Sequence, residues 1–207
     1  MLKANNLGFA WDYQQLFSNL TFEVNPGTVL LVSGSNGVCK SSLLKILTGL
    51  LLPSEGRITW EGKQVKPGDP TFLSHLLYIG HKIGIQPALT PLQNLKWLSE
   101  ISGKSILADI DAALKYVGLE SFKNSPCEQL SKGQCQLVAL ARLWLNPPKY
   151  WVLDEPFTGL DEQGISLVQN KLLEHLKHGG IVVMATHHKI ALDPFSCDEI
   201  RLGETAC

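Results

Sequence analysis

Short apolar segments alternate with helical segments along most of the chain. Strands are predicted at 2–9 and 17–24, joined by a polar turn, and an apolar strand at Thr28–Ser33 follows the turn signal Asn25-Pro26-Gly27. Further strands are predicted at Arg57–Trp60, Leu77–Gly80, Tyr150–Leu153 and Ile181–Ala185, and helices at 40–50, 131–146 and 161–178. This order predicts an α/β fold, in which helices cover both faces of a parallel sheet and an antiparallel part is added.

The pattern changes between about residues 88 and 128, where apolar side chains recur at helical spacing and strand signals are few. The positions that carry this period are Leu92, Leu95, Leu98, Ile106, Ile110, Leu114 and Val117. We predict a single domain over 1–207, with a helical subdomain of about 88–146 inserted into its core.

With 207 residues, of which 44% are hydrophobic and 18% charged, the chain has a globular composition. Its net charge of −1 creates no field that would attract nucleic acid, and no apolar run is long enough for a membrane span. Five cysteines without a C-x-x-C pair argue against a disulfide framework and a zinc site. Because no secretory segment is found either, we expect a cytosolic protein that reaches a membrane only through a partner.

The loop after the strand at 28–33 nearly matches the phosphate-loop pattern G-x-x-x-x-G-K-[ST]. Backbone N–H groups of such a loop surround phosphate oxygens, and the N-terminus of the following helix adds partial positive charge. Lys40 is predicted to reach the outer phosphates of a nucleotide, and the Ser41 hydroxyl to bind Mg²⁺. The predicted nucleotide-binding residues are Gly34, Ser35, Asn36, Gly37, Val38, Cys39, Lys40, Ser41 and Ser42.

One position departs from the pattern, because Cys39 stands where a glycine is expected before the lysine. If the backbone there needs a positive φ, the side chain costs on the order of 1–2 kcal/mol. A Cβ atom would also hinder the close approach of the backbone to phosphate.

Two acids, Asp154 and Glu155, end the apolar strand that begins at Tyr150. At the carboxyl end of a parallel strand they face the same crevice as the phosphate loop. Asp154 is predicted to hold Mg²⁺, and Glu155 to orient and deprotonate the attacking water. Two incidental acids at a strand end are a common alternative, which Pro156 and the turn at 158–161 make less favourable.

Five short motifs then occur in a fixed order: the near phosphate loop, LSKGQ at 130–134, VLDEP at 152–156, GLD at 159–161 and TH at 186–187. Together they resemble the ATP-binding subunits of ATP-binding-cassette (ABC) transporters, over essentially the whole chain. The resemblance implies a P-loop NTPase core and a head-to-tail homodimer with ATP between the subunits. The signature residues that would touch the partner's ATP are Leu130, Ser131, Lys132, Gly133 and Gln134.

The resemblance also assigns roles outside these loops. Asp161 matches the D-loop aspartate, and His187 the histidine that supports the γ-phosphate and the water as a second catalytic residue. Trp11, with Tyr13 as the alternative, holds the place of the aromatic residue that stacks on adenine. His81 stands where the family has a glutamine that touches Mg²⁺ and water.

A narrower resemblance rests on Tyr-Ile-Gly-His at 78–81, the run 139–145, LDEPFT at 153–158 and GGIVV at 179–183. These segments are similar to the ATP-binding subunits of bacterial cytochrome c maturation systems. That resemblance implies a peripheral subunit at the cytoplasmic face of the inner membrane, which works with a multi-span membrane permease and other maturation proteins. It would drive haem export or the release of a haem-loaded chaperone. With no C-x-x-C-H signature, we expect no direct haem site.

Other functions stay open at this point. The chain could serve another small exporter, or Cys39 could make it a weakly active or regulatory cassette. A soluble cassette ATPase of DNA repair or translation is disfavoured, since 207 residues leave no room for a second cassette or a long coiled coil.

Overall fold

A computed structural model describes residues 1–35, 39–101, 107–145, 147–188, 190 and 192–203. Its strands are β1 (Leu2–Trp11), β2 (Gln14–Val24), β3 (Val29–Gly34), β4 (Glu55–Trp60), β5 (Lys63–Gln64), β6 (Leu76–Ile79), β7 (Tyr150–Asp154), β8 (Ile181–Ala185) and β9 (Cys197–Leu202). Its α-helices are α1 (Lys40–Leu47), α2 (Pro70–Leu73), α3 (Pro91–Ile101), α4 (Leu107–Tyr116), α5 (Lys132–Leu140) and α6 (Glu162–Lys177). Three 3₁₀ turns lie at Glu120–Phe122, Cys127–Gln129 and Ala141–Trp144.

One compact unit comprises 1–78, 148–155 and 172–207, and its main feature is a five-stranded sheet. The strand order is β6-β7-β8-β3-β9, and the pairs β7–β8, β8–β3 and β3–β9 are parallel. In this register Ala185 pairs with both Asp154 and Val32. The loop after β3 and the acids after β7 therefore emerge at the same edge of the sheet.

The same unit contains an antiparallel sheet in the order β2-β1-β4-β5. Apolar residues of both sheets and of α1 form one buried cluster, which includes Leu7, Phe17, Leu43, Tyr150 and Val183. This packing fixes α1, and with it Lys40 and Ser41, against the parallel sheet. The predicted α/β class, with a parallel core and an antiparallel part, is confirmed.

A second compact unit comprises 79–147 and 156–171 and is helical around its own core. Leu95, Ile110, Leu114 and Val138 are fully buried there. Buried Asn94 orders the loop before α3, since its side chain accepts from the Gln86 backbone and donates to the carbonyls of Gln86, Leu89 and Thr90. The inserted subdomain of about 88–146 stays a prediction.

Two helix ends and one strand are the main differences from the sequence predictions. Helix α1 ends at Leu47 rather than near Leu50, because Gly49 adopts φ 71° and closes a Schellman motif in which the Leu50 N–H donates to the Lys45 carbonyl. The helix predicted to run to Asn146 passes into a 3₁₀ turn after Leu140, and Asn146 itself lies outside the described residues. Strand β9 was not predicted, because its sequence is mostly polar and Ile200 and Leu202 alone do not form a strand pattern.

Candidate nucleotide-binding site

Helix α1 begins directly after a residue in the left-handed conformation. Cys39 has φ 56° and ψ 31°, and its carbonyl accepts hydrogen bonds from the N–H groups of Ser42 (2.9 Å) and Leu43 (3.1 Å). This is the position where the phosphate-loop pattern has glycine, and a Cβ atom there carries the left-handed penalty of about 1–2 kcal/mol. The predicted contacts at Asn36, Gly37 and Val38 lie outside the described residues.

Replacing Cys39 by glycine will stabilise the protein by about 1 kcal/mol, because glycine adopts positive φ without steric cost. We expect the thermal midpoint to rise by roughly 2–4 °C. Cys39→Ala is the matched control, since alanine removes the sulfur and keeps the Cβ. If alanine stabilises the protein as much as glycine does, backbone strain at this position is not the cause.

The Lys40 ammonium is bonded to the backbone at the start of the phosphate loop. Its Nζ donates to the carbonyls of Gly34 (2.9 Å) and Ser35 (3.3 Å), and it lies 3.4 Å from Nε2 of His187. A lysine that bonds to its own loop carbonyls can exchange them for phosphate oxygens, which are stronger, charged acceptors. The arrangement therefore places a positive charge at the start of α1 that can exchange loop carbonyls for phosphate oxygens.

Ser41 and Asp154 meet although they are 113 positions apart in the sequence. The Ser41 hydroxyl donates to Oδ2 of Asp154 at 2.7 Å, and Asp154 is only 4% exposed. Burial raises the pKa of Tyr78 on β6, and the negative charge of Asp154 raises it further. Tyr78 is therefore a neutral phenol at physiological pH.

Glu155 follows Asp154 in a strained backbone conformation, with φ 53°. Its N–H donates to the Ala185 carbonyl at 2.8 Å, which anchors it to the end of β8. Oε1 lies 3.4 Å from Nε2 of His187, and the Glu155 side chain is 17% exposed. His187 Nε2 thus faces a cation and an anion at the same distance, and it can accept from Lys40 or donate to Glu155, but not both at once.

A cleft of about 660 Å³ opens beside the start of α1. Trp11 contributes to its wall and is 61% exposed, whereas Tyr13 lies fully exposed in the β1–β2 turn. The residues that line it are Phe9, Trp11, Gln14, Leu16, Cys39, Ser42, Lys45, Leu50 and Leu51. A cleft of mixed lining with an exposed indole on its wall, next to a phosphate-binding loop, suits the base of a nucleotide.

The signature residues form the start of α5 in the second unit. Ser131 caps the helix by accepting from the Gln134 N–H (3.1 Å), and the Gln134 side chain accepts from the Ser131 N–H (2.8 Å). Lys132 is exposed, and Leu130 packs partly against the unit's core. A Cβ atom at Gly133 would overlap the Gly159 carbonyl oxygen, so that only glycine fits there.

Asp161 and His81 also belong to the second unit. Asp161 caps α6, because its Oδ1 accepts from the Gly164 N–H at 2.8 Å. His81 is exposed just after β6. The structure thus brings Lys40, Ser41, Asp154, Glu155 and His187 together in the first unit.

Three residues that lie at or near these motifs were not predicted from the sequence. Gln14 and Lys45 line the cleft. Gln136, two residues after the signature, is buried and donates to the Pro156 carbonyl. The spacing of apolar residues around Gln136 does not show that this position is buried. A polar side chain on the inner face of a helix is the signal that could have pointed to it.

Comparison with known proteins identifies the family. A model of the ABC transporter family matches residues 17–158. The chain is 43% identical over 205 residues to the cytochrome c biogenesis ATP-binding export protein CcmA of Pseudomonas putida, covering 99% of this chain and 98% of that protein. The CcmA protein of Vibrio parahaemolyticus is 40% identical over 205 residues, covering 99% of this chain and all of the relative (100%).

A solved structure of an ATP-binding subunit of an ABC transporter superposes with a TM-score of 0.81 at 27% identity, covering 90% of this chain and 79% of that one. The predicted P-loop NTPase fold is therefore confirmed, and so is the prediction that the chain binds a nucleotide. Among the residues the structure describes, no helix has the length and apolarity to cross a bilayer. The chain belongs to the ABC transporter family as an ATP-hydrolysing subunit, and within it to the cytochrome c biogenesis ATP-binding export proteins.

Proposed function

We propose that this chain hydrolyses ATP to drive a transport step of cytochrome c maturation, at the cytoplasmic face of the bacterial inner membrane. The observation that carries the proposal is the meeting of Lys40, Glu155 and His187 beside the Ser41–Asp154 pair, in a chain with 43% identity to a cytochrome c biogenesis export protein. That arrangement supplies a phosphate-binding cation, a base and a metal-binding pair within one site.

ATP would bind with its base in the cleft and its phosphates on the loop from Gly34 to Ser42. Trp11 stacks on the adenine, because an exposed indole on the cleft wall offers a flat apolar face. Lys40 moves from the loop carbonyls to the outer phosphates.

The oxygen donors of Ser41 and Asp154 fit Mg²⁺. This ion prefers a few protein oxygens together with phosphate oxygens and waters, and a hydroxyl 2.7 Å from a buried carboxylate provides that donor set. Within the described residues no cluster of three or more His, Cys, Asp or Glu side chains offers an alternative all-protein metal site. Held there by Ser41 and Asp154, the ion would supply positive charge against the phosphates. His81 is the candidate for a further contact to the ion and its water.

Glu155 would act as the general base of hydrolysis. Its carboxylate orients a water molecule, takes one proton from it, and the water oxygen forms a bond to the γ-phosphorus as the bond to the β–γ bridging oxygen breaks. His187 can support the γ-phosphate from the side on which it faces Lys40. Both residues follow strands that end at the carboxyl edge of the sheet, which brings their side chains to the same point.

A second copy of the chain would complete each site. The N-terminus of α5 presents the Ser131 hydroxyl and the backbone N–H groups of Lys132 and Gly133, which suit a γ-phosphate bound by the partner. Asp161 would line the same dimer interface. We infer a multi-span permease and other maturation proteins as further partners, and neither direct haem contact nor nucleic acid binding by this subunit.

Complementation tests the proposed function. In a bacterium that lacks its own cytochrome c biogenesis ATP-binding export protein, expression of this chain should restore c-type cytochromes with covalently attached haem, measured by haem staining. Glu155→Gln is the matched control and should restore none. If the parent chain hydrolyses ATP but restores no haem attachment in a host whose permease it co-purifies with, the chain serves another exporter.

A further inference from the structure

The segment that follows the catalytic base is held by a buried side chain that none of the motifs includes. Gln136 lies on the second turn of α5 and is 6% exposed. Its Nε2 donates to the carbonyl of Pro156 at 3.0 Å, and Pro156 is itself buried. A buried amide that donates to a main-chain carbonyl fixes that peptide, because breaking the bond leaves two polar groups without partners.

Two further contacts hold the same segment within the second unit. The Gly133 backbone on the first turn of α5 lies so close to the Gly159 carbonyl that no Cβ atom fits between them. Asp161 is fixed in turn as the cap of α6. Residues 156–161 are therefore fastened to the start of α5 at Pro156 and Gly159, and to α6 at Asp161.

Pro156 is bonded directly to Glu155, whose φ of 53° is unfavourable for a residue with a side chain. At a site of catalysis such a conformation persists where the surrounding structure determines it. On the N-terminal side the Glu155 N–H donates to the Ala185 carbonyl at 2.8 Å. On the C-terminal side the peptide ends at the Pro156 ring, which fixes its own φ. The Pro156 carbonyl, one peptide further along the chain, accepts from Gln136.

We propose that Gln136 is a positioning residue for ATP hydrolysis, which sets the orientation of Glu155 by holding the Pro156 peptide. The inference rests on the proposed function of Glu155 as the base. Gln136 does not touch the nucleotide in this scheme. Its loss releases the peptide between Pro156 and Phe157, and the freed Pro156 lets the Glu155 carboxylate move away from the attacking water. The chemical step then slows, while ATP binding by the loop at 34–42 is unaffected.

The test compares Gln136→Met with Val138→Ala in the full-length chain. Methionine keeps the length of the unbranched side chain and removes the donor, whereas Val138→Ala opens a cavity at a fully buried position of the same helix. For Gln136→Met we expect kcat to fall about tenfold, with the KM for ATP within about twofold of the parent. Val138→Ala should lower the thermal midpoint and leave kcat per folded molecule unchanged. Gln136→Leu, a second variant without the donor, should reproduce the loss in kcat.

The outcomes separate the inference from the function on which it rests. If both Gln136 variants have the parental kcat, the inference is overturned. It is also overturned if Val138→Ala lowers the thermal midpoint as much as the Gln136 variants do and lowers kcat by the same factor. A rise in KM with unchanged kcat also overturns it, since the residue would then act on binding. If the parent turns over no ATP, or if Glu155→Gln turns over ATP at the parental rate, the proposed function fails and takes the inference with it.

Discussion

Replacing Glu155 by glutamine will lower kcat by about two to three orders of magnitude and leave ATP affinity unchanged. General-base catalysis contributes about 10²–10⁴ in rate, and a glutamine amide cannot take the proton of the attacking water. The substitution keeps the size of a side chain that is 17% exposed and lies 3.4 Å from Nε2 of His187. The phosphate loop and the cleft are untouched, so that the nucleotide binds as before.

Because ATP then stays intact between two subunits, the Glu155→Gln protein should accumulate as an ATP-bound dimer. Light scattering on a size-exclusion column with and without Mg·ATP measures this, and single-turnover hydrolysis measures the chemical step. Glu162→Gln, which removes an exposed carboxylate from the first turn of α6, is the control for the change in charge. A Glu155→Gln protein that hydrolyses ATP at the parental rate would exclude this residue as the base.

The convergence of Lys40, Ser41, Asp154 and Glu155 could be predicted from the sequence for a physical reason. Apolar strands that alternate with helices are typical of a parallel sheet, and parallel strands bring their carboxyl ends to one edge. The observed register agrees with this expectation, because Ala185 on β8 pairs with both Val32 on β3 and Asp154 on β7. Positive φ at Cys39 also follows from the pattern, since glycine is the residue expected there.

Contacts that depend on side-chain direction or on one local backbone bond were out of reach of the sequence. The choice between Trp11 and Tyr13 depends on the twist of the β1–β2 turn, where Asp12 and Tyr13 both take positive φ. Strand β9 is polar, because as an edge strand it is only partly covered. The close approach of Gly133 to Gly159 could not be predicted from the sequence. A glycine that is required by lack of space cannot be distinguished in sequence from one that is required by a turn.

Replacing Lys40 by alanine will weaken ATP binding at least about 100-fold and abolish ATP turnover. Each hydrogen bond between a charged group and its partner contributes about 1.5–3 kcal/mol, and the Lys40 ammonium is positioned to make such bonds to two phosphates. In the structure it donates to the carbonyls of Gly34 and Ser35 at the edge of solvent. Water can replace it on those carbonyls, so that we expect the variant to fold with a thermal midpoint close to that of the parent.

Titration calorimetry with Mg·ATP measures the loss of affinity, and Lys115→Ala provides the matched control. Lys115 is an exposed residue on α4, far from the phosphate loop in sequence, and its replacement removes the same charge. We expect affinity and turnover to stay at the parental values. If Lys40→Ala binds ATP like the parent while remaining folded, the loop from Gly34 to Ser42 does not hold the phosphates. If Lys115→Ala weakens binding equally, net charge rather than the placement of Lys40 at the start of α1 determines the affinity.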